Sequence, residues 1–487
     1  MIPLIIFQQC FAYSSLNGGG SQSRTPGITM SILLVEPLVD KIVIETLFIV
    51  QGGNNMKFKL YQKKKSFVQG KTIIGIDPGK NNHQASIINE YGLQQGKSFS
   101  FKVNYHSFHE SFWKKVTSII PDPEPLKVVF AIETSANLWN TLAHYLNEKG
   151  YAVLLINPLT TYHSRPLMSH DFSKTDPKDA FLVAKNALEG NYNFYQNFPH
   201  DVNELHQLSI TYDKLRKDRN KNILRMRSFM DTIFPEYVRF LNLDTKTSVY
   251  LLKSYFLPYH FLNLDIEKEA HIIAEISKNN YGKPLLENLK AAASQTIGIN
   301  KEAEEQTLRL ILNSWLMEYE KINEQVNIIS HRMITMAKKS DYFHILTSLK
   351  GISDKLASLF IAECRDLDKF NNYKQIEKMA GLNIRQNQSG NYTGPRHISH
   401  IGNKRLLWII YQMTGETALY VPEVRIKFLK GQLKKKKYRK NIIAASSQLL
   451  KLIMALIKEK RHYEIKEEKV KELKPLEEKY KIIQRHL

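Results

Sequence analysis

Short apolar stretches separated by turns dominate the first half of the chain. They lie at residues 72–76, 84–88, 97–103, 127–132 and 152–156. The first three follow one another with only turns between them, which predicts an antiparallel meander of three strands. Helical periodicity appears at residues 108–119 and 138–149, and another helix is predicted to begin near Pro177. Strands that alternate with helices after a meander predict a mixed sheet flanked by helices.

The second half of the chain is predicted to be helical. Residues 201–340 contain few turn signals and repeat Leu and Ile at helical spacing, which predicts long helices and a coiled-coil arm. Residues 341–431 are predicted to form a compact, mostly α-helical domain with loops marked by glycines. Residues 432–487 begin with a basic run and are predicted to form a helical tail that is solvated or contacts phosphate. Residues 71–200 are the predicted α/β domain, of the ribonuclease-H-like type.

Residues 1–55 differ in composition from the rest of the chain. They carry Arg24 and Lys41 against three acidic residues, and residues 14–29 are rich in Gly and Ser without periodicity. We expect this segment to be a disordered leader, or translated sequence upstream of a natural start at Met56.

The net charge of the chain points to a polyanionic partner. There are 69 Lys and Arg residues against 47 Asp and Glu residues, giving a formal net charge of +22. A basic excess of this size is expected of proteins that bind nucleic acid, so DNA is the predicted partner. Codon bias toward Lys produces the same excess, and charge alone does not decide.

Cysteine usage and hydropathy limit the cellular setting. The two cysteines, Cys10 and Cys364, exclude a disulfide framework and a multi-cysteine zinc site and are typical of the cytoplasm. The most apolar early stretch, residues 31–50, contains four charged residues, which a membrane span would not tolerate. We therefore expect a cytoplasmic protein without a membrane partner.

Two acidic residues are predicted to end neighbouring strands. Asp77 is followed by a Pro-Gly turn that leaves its carboxylate at the strand's rim, and Glu133 closes the central apolar stretch. Two carboxylates at adjacent strand ends repel each other unless a cation neutralises them. The alternatives are turn chemistry or the phosphate loop of a sugar-kinase-like ATPase at Asp77, and helix capping at Glu133.

Two further acidic residues lie at a predicted helix start. Asp176 and Asp179 flank Pro177, so capping by Asp176 and a dipole interaction of Asp179 would explain both by helix stability alone. The i, i+3 spacing also puts both carboxylates on one face. With Asp77 and Glu133 they form a predicted four-carboxylate site for Mg²⁺ or Mn²⁺, suited to phosphodiester cleavage and transfer.

The predicted second domain contains a candidate phosphate-binding turn. Residues 346–353 are similar to a helix-hairpin-helix, in which the turn at Lys350 and Gly351 would offer backbone amides to a DNA phosphate. Ser353 stands where a second glycine is usual, and a plain helical hairpin is the alternative.

A serine lies among basic residues further along the chain. Ser389 precedes Gly390, and the cations around it in the sequence are Arg385, Arg396, Lys404 and Arg405. A serine hydroxyl in this setting can attack a phosphodiester while cations stabilise the developing charge. From the residues alone, an ordinary Ser-Gly turn is the more common interpretation.

Several short motifs follow one another in a recognisable order. They are GIDPGK, AIETS, INP, KTDPKDA, LKGIS, AGL, QSG and IGNKRL. This ordered set resembles the DEDD transposases of the IS110 insertion-sequence family, relatives of the Piv invertases, over roughly residues 72–430.

The resemblance implies a fold, a chemistry and partners. It implies a RuvC-like domain whose four acids, Asp77, Glu133, Asp176 and Asp179, bind magnesium, and a transposase domain whose Ser389 becomes covalently linked to DNA. It also implies a homodimer or homotetramer assembled through the helical arm and, in some members, a structured guide RNA encoded by the element. Lys350 and Ser353 depart from the family's usual Pro and second Gly, which weakens the hairpin prediction.

Two other function classes fit parts of the pattern. A Holliday-junction-resolvase-like metal endonuclease would need the acids but not Ser389, and covalent protein–DNA adducts distinguish it. A non-catalytic nucleic-acid-binding protein needs only basic charge and helices, and the intact set of acids argues against it.

Overall fold

The chain forms two compact units, one up to Asn197 and one from Phe198. The computed structural model describes residues 54–169, 175–298, 302–385, 388–389, 392–393 and 397–485. The leader predicted at residues 1–55 lies almost entirely outside these ranges, and the five-segment division predicted from the sequence stays a prediction.

The first unit is a mixed sheet covered by helices. Its strands are β1 (Thr72–Asp77), β2 (Asn82–Ile88), β3 (Phe99–Lys102), β4 (Val128–Glu133), β5 (Ala152–Ile156) and β6 (Asn193–Phe194). Its α-helices are α1 (Asn54–Val68), α2 (Phe112–Ile119), α3 (Asn140–Glu148), α4 (Pro158–Ser169) and α5 (Asp176–Leu188). The strand order is β3-β2-β1-β4-β5-β6, with β1, β4 and β5 parallel to one another. The predicted meander and the mixed α/β sheet are thereby confirmed.

Both faces of the sheet are apolar because helices cover both. Ile74 and Phe130 pack on one face with residues of α2 and α3, whereas Ile73 and Val129 pack on the other with residues of α5. Alternate residues of a strand point to opposite faces. The central strands are therefore continuous apolar runs that end in a polar residue.

Helix α5 lies directly against the central strand β1. A Cβ atom at Gly75 would be 2.3 Å from the backbone oxygen of Ala180, a distance that no side chain tolerates. Glycine at this position therefore allows the first turns of α5 to approach the carboxyl end of β1. This close packing brings the start of α5 to the edge of the sheet where Asp77 lies.

The second unit is helical apart from short hairpin strands. Its helices are α6 (His200–Ile233), α7 (Tyr237–Phe240), α8 (Lys246–Ser254), α9 (Pro258–Leu262), α10 (Ile266–Ser277), α11 (Lys283–Ser294), α12 (Glu305–Ala337), α13 (Asp341–Thr347), α14 (Asp354–Cys364), α15 (Tyr373–Met379), α16 (Lys404–Tyr420), α17 (Pro422–Gln432), α18 (Tyr438–Glu459) and α19 (Glu467–Arg485). Its strands are β7 (Ile384–Arg385), β8 (Gln388–Ser389), β9 (Tyr392–Thr393) and β10 (His397–Ile398).

Helices α6 and α12 form a long antiparallel pair. Arg332 of α12 contacts Glu204 near the start of α6, and Arg225 near the end of α6 contacts Glu318. The short helices α7 to α11 pack against the far half of this pair around a separate core that includes Phe234. The sequence predicted long helices in this region but not the bundle of short helices α7 to α11. These helices are separated by turns without a change in hydropathy, so the pattern of apolar residues does not show where each one ends.

A second core lies at the near end of the long pair and includes α18. Leu449, Leu450 and Ile453 of this helix are fully buried there. The prediction of a solvated tail from residue 432 is therefore wrong for α18, because its apolar face completes the core. The helix is long and apolar enough to cross a membrane, but burial in a core explains the same composition.

Candidate active site

The carboxylates of Asp77 and Glu133 belong to one edge and one face of the sheet. Strands β1 and β4 run parallel with Ile76 opposite Ile132, so the next residues in register are Asp77 and Glu133. Because alternate residues of a strand point to the same face, both acids lie on the face of the sheet that packs against α5. Glu133 is 8% exposed, and its Oε1 accepts a hydrogen bond of 2.6 Å from the Ser135 hydroxyl.

The two acids at the start of α5 have different surroundings. Thr175, not Asp176, is the N-cap residue, so the predicted capping role of Asp176 is wrong. Asp176 is the first helical residue and is exposed, whereas Asp179 is 1% exposed. Asp179 directly precedes Ala180, which touches Gly75 of β1, so it lies on the side of the sheet edge that carries Asp77.

Arg165 of α4 is the counter-ion of Asp179. Its Nε and Nη2 each donate a hydrogen bond of 2.9 Å to one oxygen of the Asp179 carboxylate. These bonds are the main reason why the pKa of Arg165 is raised, and the charges of Glu133 and Asp77 raise it further. One guanidinium thus interacts electrostatically with three of the four predicted acids.

The acids do not form an assembled metal cluster. Among the described residues, no three His, Cys, Asp or Glu side chains are grouped closely enough to hold a metal ion. Asp179 is paired with Arg165, and Asp176 is exposed. The donor chemistry of Asp77, Glu133 and Asp179 still fits a hard divalent cation, because all three offer carboxylate oxygens at one sheet edge.

The segment with Ser389 is a hairpin built from very short strands. Strand β7 pairs with β10, and beyond them Ser389 of β8 pairs with Tyr392 of β9. Arg396 lies outside the described residues, and only the backbone of Arg385 and Ser389 is described.

The base of this hairpin is closed by two glycines. Gly381 has φ +74°, and a Cβ at Gly402 would lie 2.5 Å from the Gly381 nitrogen. The Ser399 hydroxyl donates 2.6 Å to the Asn383 side-chain oxygen across the same base. Ser389 therefore lies on a hairpin whose base, called here the hairpin neck, is tightly packed.

Two protein-family models match this chain. A family model described as a transposase, of the DEDD type found in IS110 elements, matches residues 74–235. A second one, described as the IS116/IS110/IS902 family of transposases, matches residues 343–427. Together they cover just over half of the chain. The chain belongs to the IS110 family of transposases.

Family membership establishes the broad activity of this transposase. Transposition implies DNA recombination as the process and DNA as a binding partner. The first matched region contains all four predicted acids, and the second contains Lys350, Gly351 and Ser389. A comparison with curated proteins finds no match.

In this transposase the predicted phosphate-binding turn is packed against α16. Gly351 has φ +104°, and a Cβ there would lie 2.8 Å from the backbone carbon of Glu416. Ser353, which replaces a second glycine, caps α14 by accepting a backbone hydrogen bond. Lys350 is exposed, with its ammonium 4.8 Å from the centre of the Tyr420 ring. The glycine is thus required by helix packing, and Lys350 is the accessible cation of the turn.

A buried carboxylate ties α6, α14 and α16 together beneath the hairpin neck. Glu363 is fully buried and accepts hydrogen bonds from Ser209 at 2.7 Å, from Arg405 at 2.8 Å and 3.1 Å, and from Asn403. Burial acts to raise the pKa of Glu363, but these three donors outweigh it and lower the pKa. Asn403 also caps α16 and donates its backbone N–H to Met379 at the neck.

This network changes the interpretation of two predicted phosphate contacts. The guanidinium of Arg405 is bound to Glu363, so much of its charge is neutralised inside the protein. Its neighbour Lys404 is exposed at the start of α16. Lys404 is the better placed of the two to meet a phosphate.

Sequence reasoning missed Arg165 and Glu363, although each leaves a signal. Glu363 interrupts the apolar run of α14, and a charge in such a run indicates a buried ion pair. Arg165 is the only arginine between Arg24 and Arg216 in a segment otherwise rich in Lys. Arginine binds both oxygens of a carboxylate with a fork that lysine lacks.

Replacing Glu363 with Gln is expected to destabilise the second unit by about 3 kcal/mol or more, because Arg405 loses its buried counter-charge. The free energy of unfolding, measured with urea and tryptophan fluorescence, checks this. Glu472→Gln is the control, since Glu472 pairs with lysines at the surface and its loss should cost under about 1 kcal/mol. Equal stability of Glu363→Gln and wild type would contradict the structural role of the network.

Proposed function

We propose that this transposase exchanges DNA strands through a metal-assisted transesterification in which Ser389 becomes linked to DNA. The observation that carries the proposal is the register of β1 and β4, which brings Asp77 and Glu133 to one edge and one face of the sheet. Carboxylates at adjacent strand ends repel each other unless a cation compensates them, and Glu133 is buried as well, which adds to the cost. A polynucleotide phosphate is the natural substrate for such a pair in a chain with a net charge of +22.

The proposed acidic site consists of Asp77, Glu133, Asp176 and Asp179. Asp77, Glu133 and Asp179 would hold Mg²⁺ or Mn²⁺ at the sheet edge, and Asp176 would join them from the exposed first turn of α5. A bound divalent cation would polarise a phosphate oxygen and stabilise the charge that develops on it. The ribonuclease-H-like fold proposed for the first unit is consistent with this arrangement of acids.

The proposed covalent step uses the hydroxyl of Ser389. Its oxygen forms a new bond to phosphorus, and the bond from phosphorus to one deoxyribose oxygen breaks. The serine proton passes to that deoxyribose oxygen, which leaves as a free hydroxyl. The phosphodiester energy is kept in the protein–DNA linkage, so the reverse step can join a different strand. Gly390 beside Ser389 allows a close approach of the backbone to DNA.

The proposed nucleic-acid surface consists of two groups of residues. The residues proposed to contact phosphates are Lys350, Gly351, Arg385, Arg396, Lys404 and Arg405, with Arg405 the weakest cation of the set because Glu363 binds its guanidinium. A second basic patch, at the start of α18, contains the exposed Lys434, Lys435, Lys436, Lys437, Arg439 and Lys440. Contacts of this kind position a nucleic acid without reading its sequence.

A structured guide RNA from the element is proposed to supply sequence choice. We also propose a cytoplasmic homodimer or homotetramer, with the α6–α12 pair as an arm and with the arm, the transposase domain and the α/β domain as separate functional segments.

The test is strand exchange by the full chain expressed together with the DNA that flanks its gene. New junctions, detected by amplification and sequencing, are expected with the flanking segment and absent without it. The purified complex should need Mg²⁺ or Mn²⁺, and ribonuclease treatment should abolish exchange. Exchange at the normal rate in excess chelator would refute the metal site, and exchange after complete RNA removal would refute the guide.

A further inference from the structure

The acidic edge of the first unit contains its own cation. We propose that Arg165 competes with the divalent metal, holding Asp179 in the metal-free protein and releasing it when the metal binds. This inference rests on the proposed metal site and adds a device that controls when the site forms.

The contact between Arg165 and Asp179 is strong and shielded. Both oxygens of the carboxylate are engaged at 2.9 Å, and the two side chains are 14% and 2% exposed. A bidentate charge-assisted pair that is screened from water is much stronger than a surface pair. Both carboxylate oxygens of Asp179 therefore accept from Arg165 in this structure.

The same guanidinium also balances the neighbouring acids. Glu133 and Asp77 both stabilise the charged form of Arg165 through space. A divalent cation drawn to these acids would meet the positive charge of Arg165, and like charges at short range weaken binding. Metal and arginine are therefore alternatives for the same negative charge.

Helix α4 is irregular next to Arg165 and offers its guanidinium a second contact. Pro166 follows it inside α4 and supplies no backbone N–H, so the helical hydrogen bond to the carbonyl of Tyr162 is missing at this point. The Arg165 guanidinium also lies 5.8 Å from the Tyr162 ring, a second face on which it can rest. Loss of the Asp179 contact therefore leaves an alternative partner on the same helix.

Lys65 offers a matched control at the opposite end of α5. It forms an ion pair of 2.6 Å with Glu189, the residue that caps the C-terminus of α5. Lys65→Gln removes one positive charge and one ion pair from the same unit, as Arg165→Gln does, but leaves the acidic edge unchanged.

The experiment measures Mn²⁺ binding by the full chain with electron paramagnetic resonance of free Mn²⁺, together with the melting temperature in chelator. Arg165→Gln is expected to bind Mn²⁺ at least about tenfold more tightly than wild type and to melt at a lower temperature in chelator. Mn²⁺ should then restore more of the melting temperature in Arg165→Gln than in wild type. Lys65→Gln should bind Mn²⁺ like wild type.

The possible outcomes separate this inference from the metal site itself. Equal or weaker Mn²⁺ binding by Arg165→Gln, with clear binding by wild type, would overturn the competition and leave the metal site intact. No Mn²⁺ binding by either protein would overturn the metal site and the competition together. If Arg165→Gln does not fold, Arg165→Lys, which keeps the charge without the fork, should bind Mn²⁺ more tightly than wild type. Wild-type affinity in Arg165→Lys would then refute the proposal.

Discussion

Asp77→Ala and Glu133→Ala are each expected to lower strand exchange by at least about a thousandfold, or about 4 kcal/mol of barrier, while DNA binding persists. The reason is that metal binding and DNA binding depend on different residues. The acids at the ends of β1 and β4 are proposed to bind the metal, whereas basic residues elsewhere bind the phosphates of DNA. Strand exchange is measured by quantitative amplification of new junctions, and DNA binding by gel shift at a fixed salt concentration.

Glu124→Ala is the matched control for this experiment. Glu124 precedes the amino end of β4, opposite the end that carries Glu133, and forms a surface ion pair with Lys127. Its removal should leave exchange within about twofold of wild type. Normal exchange by Asp77→Ala would refute the acidic site. Loss of DNA binding by Asp77→Ala would show that the acid supports folding rather than chemistry.

Ser389→Ala is expected to eliminate the covalent protein–DNA adduct and to lower exchange by about ten-thousandfold. Alanine lacks the oxygen that would attack phosphorus, and the change removes a single atom from a two-residue strand. The adduct is assayed as DNA that stays with the protein in denaturant and is released by protease, on a substrate with both element junctions.

Thr393→Ala controls for the shape of the hairpin. Thr393 lies on β9, which pairs with the strand that contains Ser389, so this variant removes a hydroxyl from the same hairpin. It should retain the adduct. An adduct in Ser389→Ala, or efficient cutting by wild type without any adduct, would exclude the serine mechanism and favour a resolvase-type endonuclease.

Local patterns were sufficient to predict five strands of the first unit's sheet, but not the two-residue edge strand β6. Each strand is a short apolar run with its own turn, and a parallel strand pair needs only an intervening helix to form. For the same reason Asp77 and Glu133 could be singled out, since each directly follows such a run. The motif order, which extends across both units, was enough to identify the transposase family.

The tertiary structure decided which charges are buried and with which partners. The sequence places Asp176 and Asp179 three residues apart, yet packing of α5 on Gly75 buries Asp179 and leaves Asp176 exposed. The partner of Asp179 is Arg165, which lies on a different helix, α4. No local sequence pattern specifies that these two side chains come within hydrogen-bonding distance of each other.

In the second unit, too, local patterns predicted the type of structure and tertiary packing decided which residues are buried. The sequence alone determined that this region is helical, that it is basic, and that its loops are marked by glycines. Only the fold decided that α18 is a core helix rather than a solvated tail, and that Arg405 forms an ion pair with the buried Glu363. Helical periodicity and charge are properties of neighbouring residues, whereas burial depends on which distant surfaces come together. The desolvation cost of burying a charged side chain is offset only by a partner that tertiary packing brings next to it.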